Sequence, residues 1–409
     1  MDQTRLTVRL CYAGMMVLAL VINLAPPLFI PLKTQLGLGF EQLGRLVFIN
    51  FLTQITFDLI CGPLADRFGA KFFAVAGNLC AAVGLWLFAL APVLFPSHPY
   101  FGLALGTVVF SMGGGVLELL LSPIVNAMPS DRKAADMNLL HSFYAIGQVV
   151  VVLVTALAIW RLGAAQWRWV AAAWSLLPLA TAVGFMRVKI PRLVEERSRL
   201  KLRQLVRRRV FMASVLAIGF AGAAELVMSQ WVSAYAEKGL GFSKITGDLL
   251  GCCLFGAMLG VGRMWLGLKG EKLNMFSVMI WSCVALIGCY LVAGLSPWNG
   301  LALAACALAG LAAASLWPGM VSMTAARFPL AGVSMFAFLA ASGDTGCALF
   351  PWLVGAAADS LSGTALGGAS GLKIGLLLAI ICPLGLLILL QWIRRQPAES
   401  QGVVALATK

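Results

Sequence analysis

Charge is what this sequence has least of. Only 11% of its 409 residues are Asp, Glu, Lys or Arg, against about 25% in soluble domains. So few charges cannot cover a water-facing surface of this size, which excludes a soluble globular enzyme. With 61% hydrophobic residues and a mean hydropathy of +0.92, a disordered chain is excluded too. Catalytic signatures are also missing. HExxH and GxSxG do not occur. Gly113-Gly114-Gly115 lacks the Lys-Ser/Thr of a phosphate-binding loop and reads as close helix packing. Asp344-Thr345-Gly346 spells an aspartic-protease triplet, but that chemistry needs a paired Asp on a β-rich scaffold. The ten cysteines sit in apolar stretches without metal-ligand spacing and read as small buried hydrophobes. No enzyme, cofactor or metal site is expected.

What is present is a series of apolar runs long enough to cross a bilayer, separated by short polar breaks. They fall near 10–31, 43–62, 72–94, 101–127, 135–160, 168–187, 210–235, 247–267, 274–294, 300–326, 332–358 and 372–393. Backbone polar groups in lipid must be satisfied within their own segment, so these are helices; the alternation of a β-barrel is absent. The first run leads through Pro26, Pro27 and Pro31 and reads as a retained helix, not a cleaved leader.

The net charge of +14 belongs to topology. With the amino terminus placed in the cytoplasm, 23 of the 30 basic residues fall on the inner side, which sets both termini inside an inner or plasma membrane and removes a nucleic-acid partner. Ten of them lie between Arg187 and Arg209. This stretch reads as a cytoplasmic linker, 188–209, joining bundles 1–187 and 210–409 and lying on the anionic inner leaflet. The halves repeat: Gly62-Pro63-Leu64-Ala65-Asp66-Arg67-Phe68-Gly69-Ala70-Lys71 follows the second span, and Gly267-Leu268-Lys269-Gly270-Glu271-Lys272 follows the eighth. Duplicated halves that rock about a central site are a common transporter plan.

At this loop the sequence resembles the major facilitator superfamily. Gly62, Asp66, Arg67, Gly69 and Lys71 match its signature between helices two and three. The resemblance implies an all-α membrane protein of twelve transmembrane helices in two pseudo-symmetric six-helix bundles, transport by alternating access, and a gating role for these five residues. A narrower stretch is similar to the fucose–galactose–glucose proton symporters: Gly115 to Pro123 with its Glu118, Met137 to Gly147, and Trp317-Pro318. That group's Asn before Pro is Ser122 here, and its first-helix Asp falls on Pro27.

A charge near the bilayer centre costs about 2.5–3.5 kcal/mol on insertion scales. Asp58, Glu118, Glu225 and Asp344 accept that cost on helices 2, 4, 7 and 11. None lies on helices 3, 6, 9 or 12, which the superfamily fold places outermost. Glu118 is far from either end of its span, and an acid that exchanges a proton as water access alternates is what proton coupling needs. Helix 5 lays Asn138, His141 and Gln148 along one face, with Tyr144 beside them. Such groups offer donors and acceptors without net charge, which suits a hydroxyl-rich ligand; the alternative is that they knit helices together. As a lone imidazole, His141 is a poor metal ligand. Helix 2 stacks Asn50, Gln54 and Asp58, the last nearer the inner face and placed for pairing or gating. Asn23, Gln230, Trp231 and Trp317 complete the candidate cavity lining.

No Lys or Arg is read mid-span, Arg263 lying near an inner end, so the four acids are expected without basic partners and an anionic substrate is disfavoured. The expected function is proton-coupled symport of a small neutral solute such as a sugar, by a monomer whose partners are that solute, protons and the bilayer. The alternatives are a proton-driven exporter of organic cations or amphipathic drugs, and a sodium-coupled symporter.

Overall fold

A computed structural model describes residues 3–129, 133–190, 202–269, 273–328, 331–361 and 369–396. Twelve helices are long and apolar enough to cross a membrane. We number them α1 (Gln3–Leu36), α2 (Phe40–Cys61), α3 (Ala70–Leu94), α4 (Pro99–Val125), α5 (Leu139–Leu162), α6 (Ala164–Arg187), α7 (Arg209–Gly239), α8 (Lys244–Leu266), α9 (Met275–Leu295), α10 (Asn299–Arg327), α11 (Met335–Leu361) and α12 (Gly371–Arg395). No strand occurs among the described residues. Several helices outrun the hydropathy reading, α1 by about two turns at its start and more than one at its end, because amphipathic turns extend the ladder beyond the apolar run. An even number of crossings puts Gln3 and Arg395 on one face, called here the terminal face; the opposite one is the far face.

Proline sets the breaks. The α6 ladder is interrupted at Trp174–Ser175, α10 at Ala314–Ser315 and α12 at Ala379–Ile380. Each break begins four residues before a proline, respectively Pro178, Pro318 and Pro383, where the missing N–H and the ring clash release the carbonyl. α1 breaks at Leu24, ahead of Pro26 and Pro27. Glycine sets the closest contacts. A Cβ at Gly113 would lie 2.8 Å from Ala81 N, and one at Gly84 2.7 Å from Phe110 Cα. The α3–α4 backbones therefore touch, and the Gly113 run serves packing.

α3, α6, α9 and α12 carry exposed large apolar side chains such as Phe72, Leu176, Trp281 and Ile388, as lipid-facing helices should. The first six and last six spans meet along three pairs: α2 against α11, the second part of α1 against α7, and α5 against α8. The boundary expected at 188–209 falls in large part outside the described residues.

Candidate functional site

The seam between the two sets of six is closely packed toward the far face. Trp231 of α7 is fully buried, its indole N–H donates to Pro351 O at 2.9 Å, and its ring meets Phe29 at 5.0 Å and Phe40 at 5.7 Å between centroids. Trp231 was expected in the cavity lining; it is instead a wedge in this seal. Nearer the far face, Glu41 Oε1 accepts from Trp352 Nε1 at 2.6 Å and from Arg45 Nη2 at 2.6 Å. The Glu41 N–H donates to Asp359 Oδ2 at 2.7 Å. Gln230 donates to Ile22 O at 3.3 Å, and Gln148, at mid-span, to Ser229 Oγ at 3.2 Å. Gln148 and Gln230 thus join the two sets of spans. Two turns from Gln148 toward the terminal face, His141 and Ser142 are exposed.

At the inner limit of this seal the acids converge. One carboxylate oxygen each of Asp58 (α2), Glu118 (α4) and Asp344 (α11) lies within 4.8 Å of the others. Helix periodicity had placed Asp58 toward one end, for pairing or gating; the structure brings it to Glu118 because α2 and α4 pack across glycine. A Cβ at Gly115 would lie 3.2 Å from Asp58 Oδ1, and one at Gly114 3.1 Å from Gln54 Oε1. Asp58 Oδ1, Asp344 Oδ2 and Gln54 Oε1 are buried without a hydrogen-bond partner among the described residues. The other end of Gln54 donates to Asn50 Oδ1 at 2.6 Å, which also accepts from Ser111. Among the described residues none of the three acids has an ion-pair partner. Three like charges this close repel by several kcal/mol at an effective dielectric of about 20, so protons or another cation must offset them.

Glu225 differs. Arg263 Nη2 donates to both of its carboxylate oxygens, at 2.8 and 2.9 Å. This corrects the expectation that all four acids lack basic partners. Arg263 stands near the end of α8, but its long side chain reaches across to α7. Tyr144 lies within electrostatic reach of Glu225, Arg263 and Glu118, and His141 within that of Arg263. Asn23 donates to Tyr144 Oη at 3.5 Å. Trp317 is half-buried, with its ring against Gly222, whose Cβ would lie 2.9 Å from Cζ3. Hydrogen bonding and electrostatic reach thus link Asn23, Tyr144, Glu118, Asp58, Asp344, Glu225, Arg263 and His141 to one another.

The side chains of Asn138, Asp66 and Arg67, and the position of Gly62 in its helix turn, lie outside what is described. Gly69 has φ +88°, a conformation that favours glycine at the turn between α2 and α3. Lys71 Nζ donates to Met186 O at 2.8 Å, tying α3 to the end of α6. Sequence reasoning also missed a buried acid. Asp248, fully buried in α8, accepts from Lys244 Nζ at 2.6 Å and from Ser233 Oγ. The hydropathy reading placed Lys244 before the span and so overlooked its i, i+4 partner inside it.

No curated protein matches the sequence. Among solved structures, a variant of the nucleoside transporter NupG superposes with a TM-score of 0.78 at 11% identity, covering 96% of this chain and 100% of that one. A D-xylose–proton symporter gives 0.76 at 14% identity, covering 96% and 98%. A variant of the E. coli fucose:proton symporter FucP gives 0.64 at 16% identity, covering 95% and 98%. At such identities the likeness is one of fold. The family profile described as Major Facilitator Superfamily matches residues 11–351. Twelve apolar crossings, a polar seam between two sets of six and this match make one statement: the chain is an integral membrane protein of the Major Facilitator Superfamily.

Proposed function

We propose that this protein is a secondary active transporter that carries a small neutral polar solute, a sugar, in symport with protons by alternating access. Its two six-helix bundles, 1–187 and 210–409, rock about the central compartment, and both termini face the cytoplasm. With that orientation the far face is external, and the structure is closed outside. The observation that carries this reading is the meeting of Asp58, Glu118 and Asp344 across the seam, within 4.8 Å and without a basic partner among the described residues. Their negative charge must be offset by a cation each time the bundles close on them. Asn23, Tyr144, His141 and the self-neutralised Glu225–Arg263 pair supply uncharged or balanced hydrogen-bonding groups, as a polyol requires. The xylose–proton and fucose:proton symporters of similar fold support the same reading.

A sodium-coupled reading draws on one further observation: the buried, unpartnered Gln54 Oε1 beside the cluster makes an all-oxygen set of the kind that suits hard cations. Proteoliposomes with an imposed pH or sodium gradient and a panel of sugars separate the two. Proton-driven accumulation that is lost in Glu118→Gln, with counterflow exchange retained, is the expected result. Accumulation driven by sodium alone favours the second reading. Outward flux of organic cations on proton entry favours an exporter, and gradient-driven uptake intact in Glu118→Gln refutes the coupling role.

A further inference from the structure

We infer that the Glu225–Arg263 pair is the solute-recognition clamp of the chamber and that it takes two adjacent hydroxyls of a neutral polyol. The inference rests on the symport reading above and names the substrate class and the residues that select it. Its basis is the way the pair is made. A single nitrogen, Arg263 Nη2, serves both oxygens of Glu225. The planar fork of the guanidinium is thus only partly used, and Arg263 Nε is buried with no hydrogen-bond partner among the described residues. A buried charged donor without an acceptor is costly and marks a position that a ligand oxygen completes. Both side chains keep some exposure, 29% for Arg263 and 15% for Glu225, so the pair is not sealed from solvent.

The surroundings say what the ligand is. Cys347 lies within electrostatic reach of Asp344, Glu225 and Glu118 at once, which places the pair beside the acid cluster. His141 of α5 lies within electrostatic reach of Arg263, and Tyr144 within that of both members of the pair; Trp317 lies against Gly222, one turn before Glu225 on α7. An anion on the free edge of Arg263 would meet Glu225 and the nearby acids, whose like charge repels it. A cation on Glu225 would be repelled by Arg263. A vicinal diol breaks nothing: one hydroxyl oxygen accepts from the free edge of Arg263 while its neighbour donates to a spare lone pair of Glu225. The aromatic side chains nearby suit the apolar face of a sugar ring.

The test titrates purified full-length protein, in nanodiscs, with D-glucose, D-xylose, their monodeoxy analogues, D-gluconate and choline, read by intrinsic tryptophan fluorescence. Wild type is expected to bind a neutral sugar and to reject D-gluconate and choline. Glu225→Gln and Arg263→Lys are expected to weaken that binding by roughly 10- to 100-fold, the worth of charge-assisted hydrogen bonds. Arg263→Lys keeps the ion pair and so keeps the fold, but it lacks the planar donors. The swapped variant Glu225→Arg/Arg263→Glu restores the pair and is expected to recover thermal stability without recovering affinity. Wild-type affinity in Arg263→Lys, or recovered affinity in the swap, overturns the clamp; if the wild type still accumulates that sugar on a proton gradient, the symport reading stands. Failure of wild type to bind any sugar overturns both.

Discussion

The bond from Trp352 Nε1 to Glu41 Oε1, 2.6 Å across the far rim, exists only while α2 and α11 are together there. Trp352→Phe removes the N–H and keeps the ring contact with Phe48, now 5.4 Å between centroids. A hydrogen bond to a charged group contributes about 1.5–3 kcal/mol. Glu41 is 22% exposed and keeps Arg45, so the lower end applies. About 1.4 kcal/mol is a tenfold change in an equilibrium constant, here the ratio of far-closed to far-open molecules. Spin labels at Ser97 and Trp298, in the far-face turns before α4 and α10, report that ratio by pulsed dipolar spectroscopy. Trp352→Phe is expected to raise the long-distance population about tenfold relative to the short one. An unchanged distribution in a variant that still folds refutes the claim that this contact holds the rim.

Other outcomes follow from the same geometry. His141→Cys, in a background without native cysteines, is expected to react with an impermeant maleimide added at the terminal face, whereas Gln148→Cys stays protected; equal labelling refutes the one-sided opening. A Cβ at Gly346 would strike the Gly219 carbonyl on α7, so Gly346→Ala is expected to cost about 1–3 kcal/mol by overpacking, seen as a lower Tm in detergent. Asp248→Asn leaves the half-buried Lys244 without its counter-charge and is expected to lower Tm more than the double change Asp248→Leu/Lys244→Met, by somewhat less than the about 3–5 kcal/mol of a fully buried pair; the reverse order refutes the assignment.

The architecture was legible because lipid imposes one rule on every span: apolar for about 20 residues and helical. The four costly acids stood out for the same reason. Their grouping did not. Asp58, Glu118 and Asp344 are separated by 60 residues or more, and only the glycine contacts of α4 bring two of them together. Arg263 was misplaced because a helix position says where a Cα lies, while a guanidinium travels several ångströms further. Asp248 was missed because Lys244, its partner one turn away, read as the polar edge of a loop. Trp231 shows the converse limit: an aromatic beside polar residues looks like lining until Phe29 and Phe40 are seen closing on it from α1 and α2.

The α2–α11 rim has a mechanical consequence. At Gly44 and Gly355 the facing backbones of α2 and α11 meet closely; a Cβ at Gly44 would sit 2.9 Å from Pro351 O, and one at Gly355 2.9 Å from Phe40 C. Trp231 is the one bulky side chain described between them at these glycines, and the rest of the contact there is close to bare backbone. Separation of α2 from α11 at this rim is therefore resisted by a few directed hydrogen bonds, those of Glu41 with Trp352 and Asp359, and exchanging one of them shifts how readily the rim parts.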